Sequence, residues 1–139
     1  MCRPKRDRKR RGFTLVELVI VILIIGILAA IAAPKLFDTS KDARENGTRQ
    51  SLNVLRNAIQ LYKAKNGALP GEAGTEADLK TDLTAYLQGP FPRAEVGNAG
   101  DTVRIQTSGA VLTVVGPESW AYDNVTGDLI INHASYSSW

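Results

Sequence analysis

A chain of 139 residues with one cysteine and one histidine excludes several chemistries at once. Cys2 has no second cysteine to pair with, so an internal disulfide is ruled out and packing must hold the body together. His133 stands alone, which rules out a histidine-rich metal site, and next to Asp128 it reads as a surface or edge residue. Aromatic residues make up only 6%, and both tryptophans, Trp120 and Trp139, fall near the C-terminus. No phosphate-cradling glycine loop, metal-ligand spacing or nucleophile motif is present, so nothing supports an enzyme. Charge is missing altogether from Leu18 to Ala33.

The formal net charge of +3 conceals a strong asymmetry. Residues 1–12, MCRPKRDRKRRG, hold seven basic residues and one acid, Asp7, which leaves ten basic and thirteen acidic residues, about −3, from Phe13 onward. The basic character belongs to the N-terminal arm alone. A basic run abutting an apolar run is a topology signal rather than a nucleic-acid tail. No nucleic-acid partner is expected.

Phe13 to Ala33 would span about 31 Å as a helix, close to the roughly 30 Å of a bilayer's hydrocarbon core. LVIVILIIGILAAIAA is apolar on every face, which suits lipid or the centre of a helical bundle. The arm before it predicts a cytoplasmic N-terminus and an extracytoplasmic remainder. A secretory signal peptide cut near AAIAA and a plain single-span anchor are the competing readings. Neither explains Glu17, a carboxylate at the head of the apolar run. Such a charge needs a partner or a place outside the oil.

GFTLVELVIVILIIGILAAIAAPKL resembles the N-terminal segment of type IV pilins and of type II secretion pseudopilins, closely from Arg11 to Leu36 and more loosely beyond. The resemblance implies cleavage between Gly12 and Phe13 by a prepilin peptidase, N-methylation of Phe13, and an assembly role for Glu17. Gly26 and Pro34 correspond to helix-loosening positions. The leader 1–12 would be lost. Cleavage would also create a cationic amine at Phe13 one helical turn from Glu17, within one chain or offered by a neighbour. Both pairings are open.

Behind Pro34 the chain stays helical, with Leu52, Leu55, Ile59 and Tyr62 forming one apolar stripe that ends at Asn66–Gly67. TEADLKTDLTAYLQ predicts a short helix capped by Thr75. TVRIQT, AVLTVV, SWAYD and DLIIN predict about four antiparallel strands, and the tail HASYSSW is expected to be loosely structured. The expected fold is therefore α+β and pilin-like: a basic leader (1–12), a transmembrane and assembly half-helix (13–34), an amphipathic half-helix (35–66), and a head with a small antiparallel sheet (67–139).

The family relation implies a structural subunit of a type II secretion-like pseudopilus or a type IV pilus-like filament. Its implied partners are a prepilin peptidase/methyltransferase, copies of itself and other pseudopilins, an inner-membrane assembly platform and the lipid bilayer. The lack of a cysteine pair in the head favours the pseudopilin side. The alternative is a single-pass anchored, extracytoplasmic binding module that does not polymerise. No cofactor is expected. Related major pseudopilins carry a calcium-binding loop, and Asp101, Asp123 and Asp128 would supply oxygen ligands if their loops converged. The preferred reading is that these three serve turns and solubility.

Overall fold

The structure, a computed structural model, describes residues 12–139. The basic arm and Cys2 lie outside the described residues. The elements in order are helix α1 (Leu15–Asn66), helix α2 (Glu76–Thr84) and strands β1 (Val103–Gln106), β2 (Trp120–Asp123) and β3 (Leu129–Ile131). The chain is α+β, with a long N-terminal helix and a small sheet. It divides into two compact units, one ending at Ser40 and the other running from Lys41 to Trp139.

In the first unit α1 exposes every described side chain, and its apolar window has a mean hydropathy of 3.1. This is a helix long and apolar enough to cross a membrane. It continues through Pro34, whose missing N–H leaves the Ala30 carbonyl without its helical donor.

In the second unit α1 becomes one-sided. Thr48, Leu52, Leu55, Ala58 and Ile59 are buried at three- and four-residue spacings, and Tyr62 is half-buried beyond them. Thr48 earns its place among them by hydrogen bonding: its hydroxyl donates to the Arg44 carbonyl (2.9 Å) and accepts from the Glu95 N–H (2.8 Å). Helix α2 starts as its sequence predicts, with Thr75 Oγ1 accepting from the Asp78 N–H, and it buries Leu79 and Leu83.

The sheet departs from expectation in strand number and direction. It has three strands in the order β1-β2-β3, not about four, and β1 pairs with β2 in parallel, Val103 opposite Trp120. Only β2 and β3 are antiparallel. A parallel pair needs a connection that carries the chain back along the strand, usually a dozen residues or more. Residues 107–119 make that return, and AVLTVV is part of it. Side chains substitute for a strand partner there. Gln106 Nε2 donates to the Ala110 carbonyl, the Arg104 guanidinium to that of Thr113, and the buried Asn132 amide pairs with both the N–H and C=O of Val115 (3.0 and 2.8 Å). The β propensity of the segment is real, but its hydrogen bonds go to amides and a guanidinium rather than to a ladder.

Strand β2 is buried along its whole length. Its two large aromatics send their polar tips to loop carbonyls: Trp120 Nε1 to Pro92 (3.2 Å) and Tyr122 OH to Pro70 (3.1 Å). Burial first, then the nearby Asp123 and Asp82 carboxylates, push the Tyr122 phenol far above its ordinary range. The tail also departs from expectation. Tyr136 and Trp139 stack edge-to-face at 4.8 Å, the Arg49 guanidinium lies 3.7 Å from the Trp139 ring centre, and Arg56 donates to the carbonyls of both Leu129 and Trp139. Aromatics spaced three apart hold the tail where no aliphatic period announced it.

Two glycines are required by close approach. Gly127 has φ +83°, and a Cβ there would meet Leu69 at 2.8 Å; Gly97 has φ +69°, and a Cβ would meet His133 at 2.7 Å.

Asp123 closes the sheet's turn. Its Oδ1 accepts from the N–H groups of Val125 (2.8 Å) and Thr126 (3.2 Å), and its Oδ2 from Gln106 Nε2 (2.9 Å) and the Gly109 N–H (3.0 Å). Burial alone would raise this carboxyl's pKa, but the four donors outweigh it and hold the group below its ordinary value. Because the folded pKa is depressed, the stability contributed by Asp123 is present above the free value of 3.8 and is lost as pH falls toward the folded one. Asp123→Ala is expected to cost roughly 3 kcal/mol, since it strands four donors. It should also flatten the acid limb of stability against pH, as measured by denaturant unfolding at pH 7 and pH 3.

Candidate processing and assembly site

The Gly12–Phe13 bond lies ahead of the first helical residue, Leu15, and both of its residues are exposed, Phe13 at 88%. A bond outside the helical ladder meets the first demand of a protease, which must take the backbone in extended form. Gly12 and Gly26 both have open space where a Cβ would stand, so neither glycine is dictated by close packing within this chain.

Glu17 finds its partner within its own chain. Its Oε2 accepts from the Thr14 N–H and from the Thr14 hydroxyl, each at 2.9 Å, and the Thr14 Oγ1 accepts in return from the Glu17 N–H at 3.2 Å. The Leu18 N–H bonds the Thr14 carbonyl at 3.3 Å, so Thr14 is the N-cap and Glu17 the third helical residue. This is a capping box, two reciprocal bonds that satisfy helix N-terminal donors with no other residue involved. The carboxylate also sits at the positive end of the helix dipole. Thr14 is absent from the residues singled out above, although T-x-x-E ahead of an apolar run is itself the sequence signature of such a box.

The three aspartates considered for calcium are engaged in other ways. Asp101 Oδ2 pairs with Lys80 Nζ at 3.1 Å, and that bond, working against burial, holds the Asp101 carboxyl below its ordinary value. Asp123 offers all of its roughly four lone-pair directions to N–H donors. Asp128 is exposed, and its backbone serves the β2–β3 turn. Among the described residues no three His, Cys, Asp or Glu side chains are grouped as metal ligands would be. Calcium takes six to eight oxygens. An aspartate saturated by donors and another bound to an ammonium group do not fit it.

Residues 7–33 match the prokaryotic N-terminal methylation motif. Over 89 residues, 64% of this chain, the sequence is 33% identical to the type II secretion system core protein G of Aeromonas hydrophila, covering 60% of that protein. Over 90 residues, again 64% of this chain, it is 36% identical to the core protein G of Vibrio cholerae serotype O1, covering 58%. It is 39% identical over 62 residues to that of Escherichia coli (strain K12), covering 45% of this chain and 43% of the relative. The chain thus spans less than two thirds of the length of these relatives. No solved structure matches it. The resemblance to type IV pilin-like proteins, and among them to the pseudopilins of type II secretion, is borne out by the methylation motif around Phe13 and by these identities to core protein G.

Proposed function

We propose that this chain is a prepilin-type structural subunit, processed between Gly12 and Phe13, methylated at Phe13, and assembled with copies of itself and other pseudopilins into a type II secretion-like pseudopilus. The observation that carries this reading is the conjunction at one point of the chain. An exposed, non-helical Gly12–Phe13 bond stands immediately before a self-capped Glu17 and a helix of mean hydropathy 3.1, inside the stretch that matches the methylation motif. The basic arm holds the N-terminus in the cytoplasm and the head outside the inner membrane. The work is mechanical rather than catalytic: subunits leave the bilayer and stack, and the helices exchange lipid for one another.

In this reading Gly26 and Pro34 let the apolar helix bend as it changes neighbours, Pro34 through the backbone bond it cannot make. Cleavage leaves the Phe13–Thr14 peptide intact, so the capping box survives processing, and the new amine lies one residue from Thr14. Glu17 then has two cations to choose from, its own Phe13 amine and that of a neighbouring subunit.

The intact mass of the membrane-extracted protein tests the reading. The expected chain begins at Phe13 and carries one extra methyl. A chain beginning at Met1 would support the anchored binding module, and one beginning near Ala33 or Pro34 an ordinary signal peptide; either result overturns the proposal. Glu17→Ala is expected to insert in the membrane as well as the parent or better, because a charge is removed from the edge of the apolar span. It should nevertheless fail to assemble. Filaments at parental abundance, scored by shearing and electron microscopy, would sink the assembly role of Glu17.

A further inference from the structure

We infer that the head carries both halves of a head-to-head contact between copies of this chain: an aliphatic ridge on one flank of α1 and a prolyl–aromatic groove on the opposite flank. The inference rests on the polymerising subunit proposed above and adds the surfaces through which neighbouring heads meet.

The ridge is the return connection between β1 and β2. Val111, Val114 and Val115 are 88, 38 and 59% exposed, an unusual concentration of aliphatic surface for a loop held to its own domain by hydrogen bonds. It flanks α1 at Arg56 and Gln60, which share a surface depression with Val111 and Leu112. The groove, of about 630 Å³, is formed by Pro90, Phe91 and Pro92 against Gly47 and Ser51 of α1. Gly47 leaves open space where a Cβ would stand, which keeps the helix wall of the groove low.

The helix fixes how the two surfaces are related. The midpoint of Gly47 and Ser51 and the midpoint of Arg56 and Gln60 are nine residues apart. At 3.6 residues per turn that is two and a half turns, so the groove and the ridge lie on opposite flanks, separated along the axis by about 14 Å. Opposite flanks cannot meet within one chain, and they cannot form a two-fold dimer in which each surface meets itself. They can meet in a second copy whose helix runs parallel and is shifted along the axis, and such a contact repeats without closing. Insertion of every copy in the membrane with one orientation supplies the parallel helices. Charge agrees in sign. The ridge flank carries Arg56 and Arg104 against Asp128, and the groove rim carries Glu95 and Asp101 against Arg93, an excess of one cation facing an excess of one anion. Lys80 holds Asp101, which leaves Glu95, exposed at the rim, as the anion open to a neighbour.

Site-directed cross-linking in the full chain tests this. In a Cys2→Ser background, Val111→Cys combined with Pro90→Cys should give, on mild oxidation of assembled filaments, a ladder of covalent oligomers. Each single-cysteine variant should stay monomeric. Val111→Asp should reduce filament yield at least tenfold with the thermal unfolding midpoint unchanged. Filaments of the double-cysteine variant without a ladder would overturn the contact while leaving the subunit reading intact. Dimers from Val111→Cys alone would overturn it in favour of ridge-to-ridge packing, and a cross-link to a different protein would overturn it in favour of another partner. If the unmodified chain is processed as proposed yet never polymerises, the subunit reading and the contact fall together.

Discussion

Strand β2 has no face to give to water, and the architecture of the head follows from that constraint. A strand buried along its whole length needs neighbours on both edges and cover on both sides. The edges are taken by β1 and β3, one parallel and one antiparallel. The buried stripe of α1 and the leucines of α2 join Trp120 and Tyr122 in one core. Every polar atom that β2 brings inside must then be satisfied, because an unmade bond there costs more than a made one contributes. The indole and phenol tips therefore reach out to the Pro92 and Pro70 carbonyls, which pins the loops carrying them. Asp123, at the end of the strand, gathers donors from β1's exit and from the turn into β3. Loops that read as mere connectors in the sequence are thus fixed by the polar ends of core residues.

The same accounting explains why this head holds together without a disulfide. Cross-links that other small domains make covalently are made here by single side chains bridging distant segments. Arg56 ties the helix to β3 and to the tail, Asn132 ties β3 to the return connection, and Thr48 ties the helix to the loop at Glu95. Each joins positions far apart in sequence, so each closes a long loop, where the entropy of the unfolded chain gives a cross-link its greatest leverage. Hydrogen bonds to charged groups contribute about 1.5–3 kcal/mol. Arg56, with both carbonyls on its fork, is therefore the strongest of the three.

Legibility in the sequence tracked the range of the interaction that decides each element. The α1 stripe, the Thr75 cap and the positions of β1, β2 and β3 were readable because period and capping are local. Strand direction was not. The segment 107–119 is long enough for a loose hairpin or for a return crossover, and the choice depends on Asn132 and Arg104, which lie outside AVLTVV. The tail was misjudged for a related reason: HASYSSW has no aliphatic period, and its order comes from Arg49 and Arg56, more than seventy residues earlier. At the other end of the chain, the Gly12–Phe13 junction and Glu17 stood out through resemblance and charge. Thr14 was equally local and was passed over because a threonine beside an apolar run attracts no attention until its hydroxyl is counted as a cap.

That threonine changes the energetics of the carboxylate above the apolar span. An ionised group left alone at the edge of hydrocarbon would take up a proton or draw in water. Capped by Thr14, Glu17 has two donors of its own and the helix dipole behind it, so it stays accommodated in a chain that has met no partner. A cation offered by a neighbour must then do one of two things. It can displace those two bonds, or it can approach the second carboxylate oxygen, Oε1, while Thr14 keeps Oε2. The second route costs less, because nothing already made is broken. A box that occupies one oxygen fixes the side chain's rotamer and aims the other, so the entropy of orienting Glu17 is spent before any partner arrives.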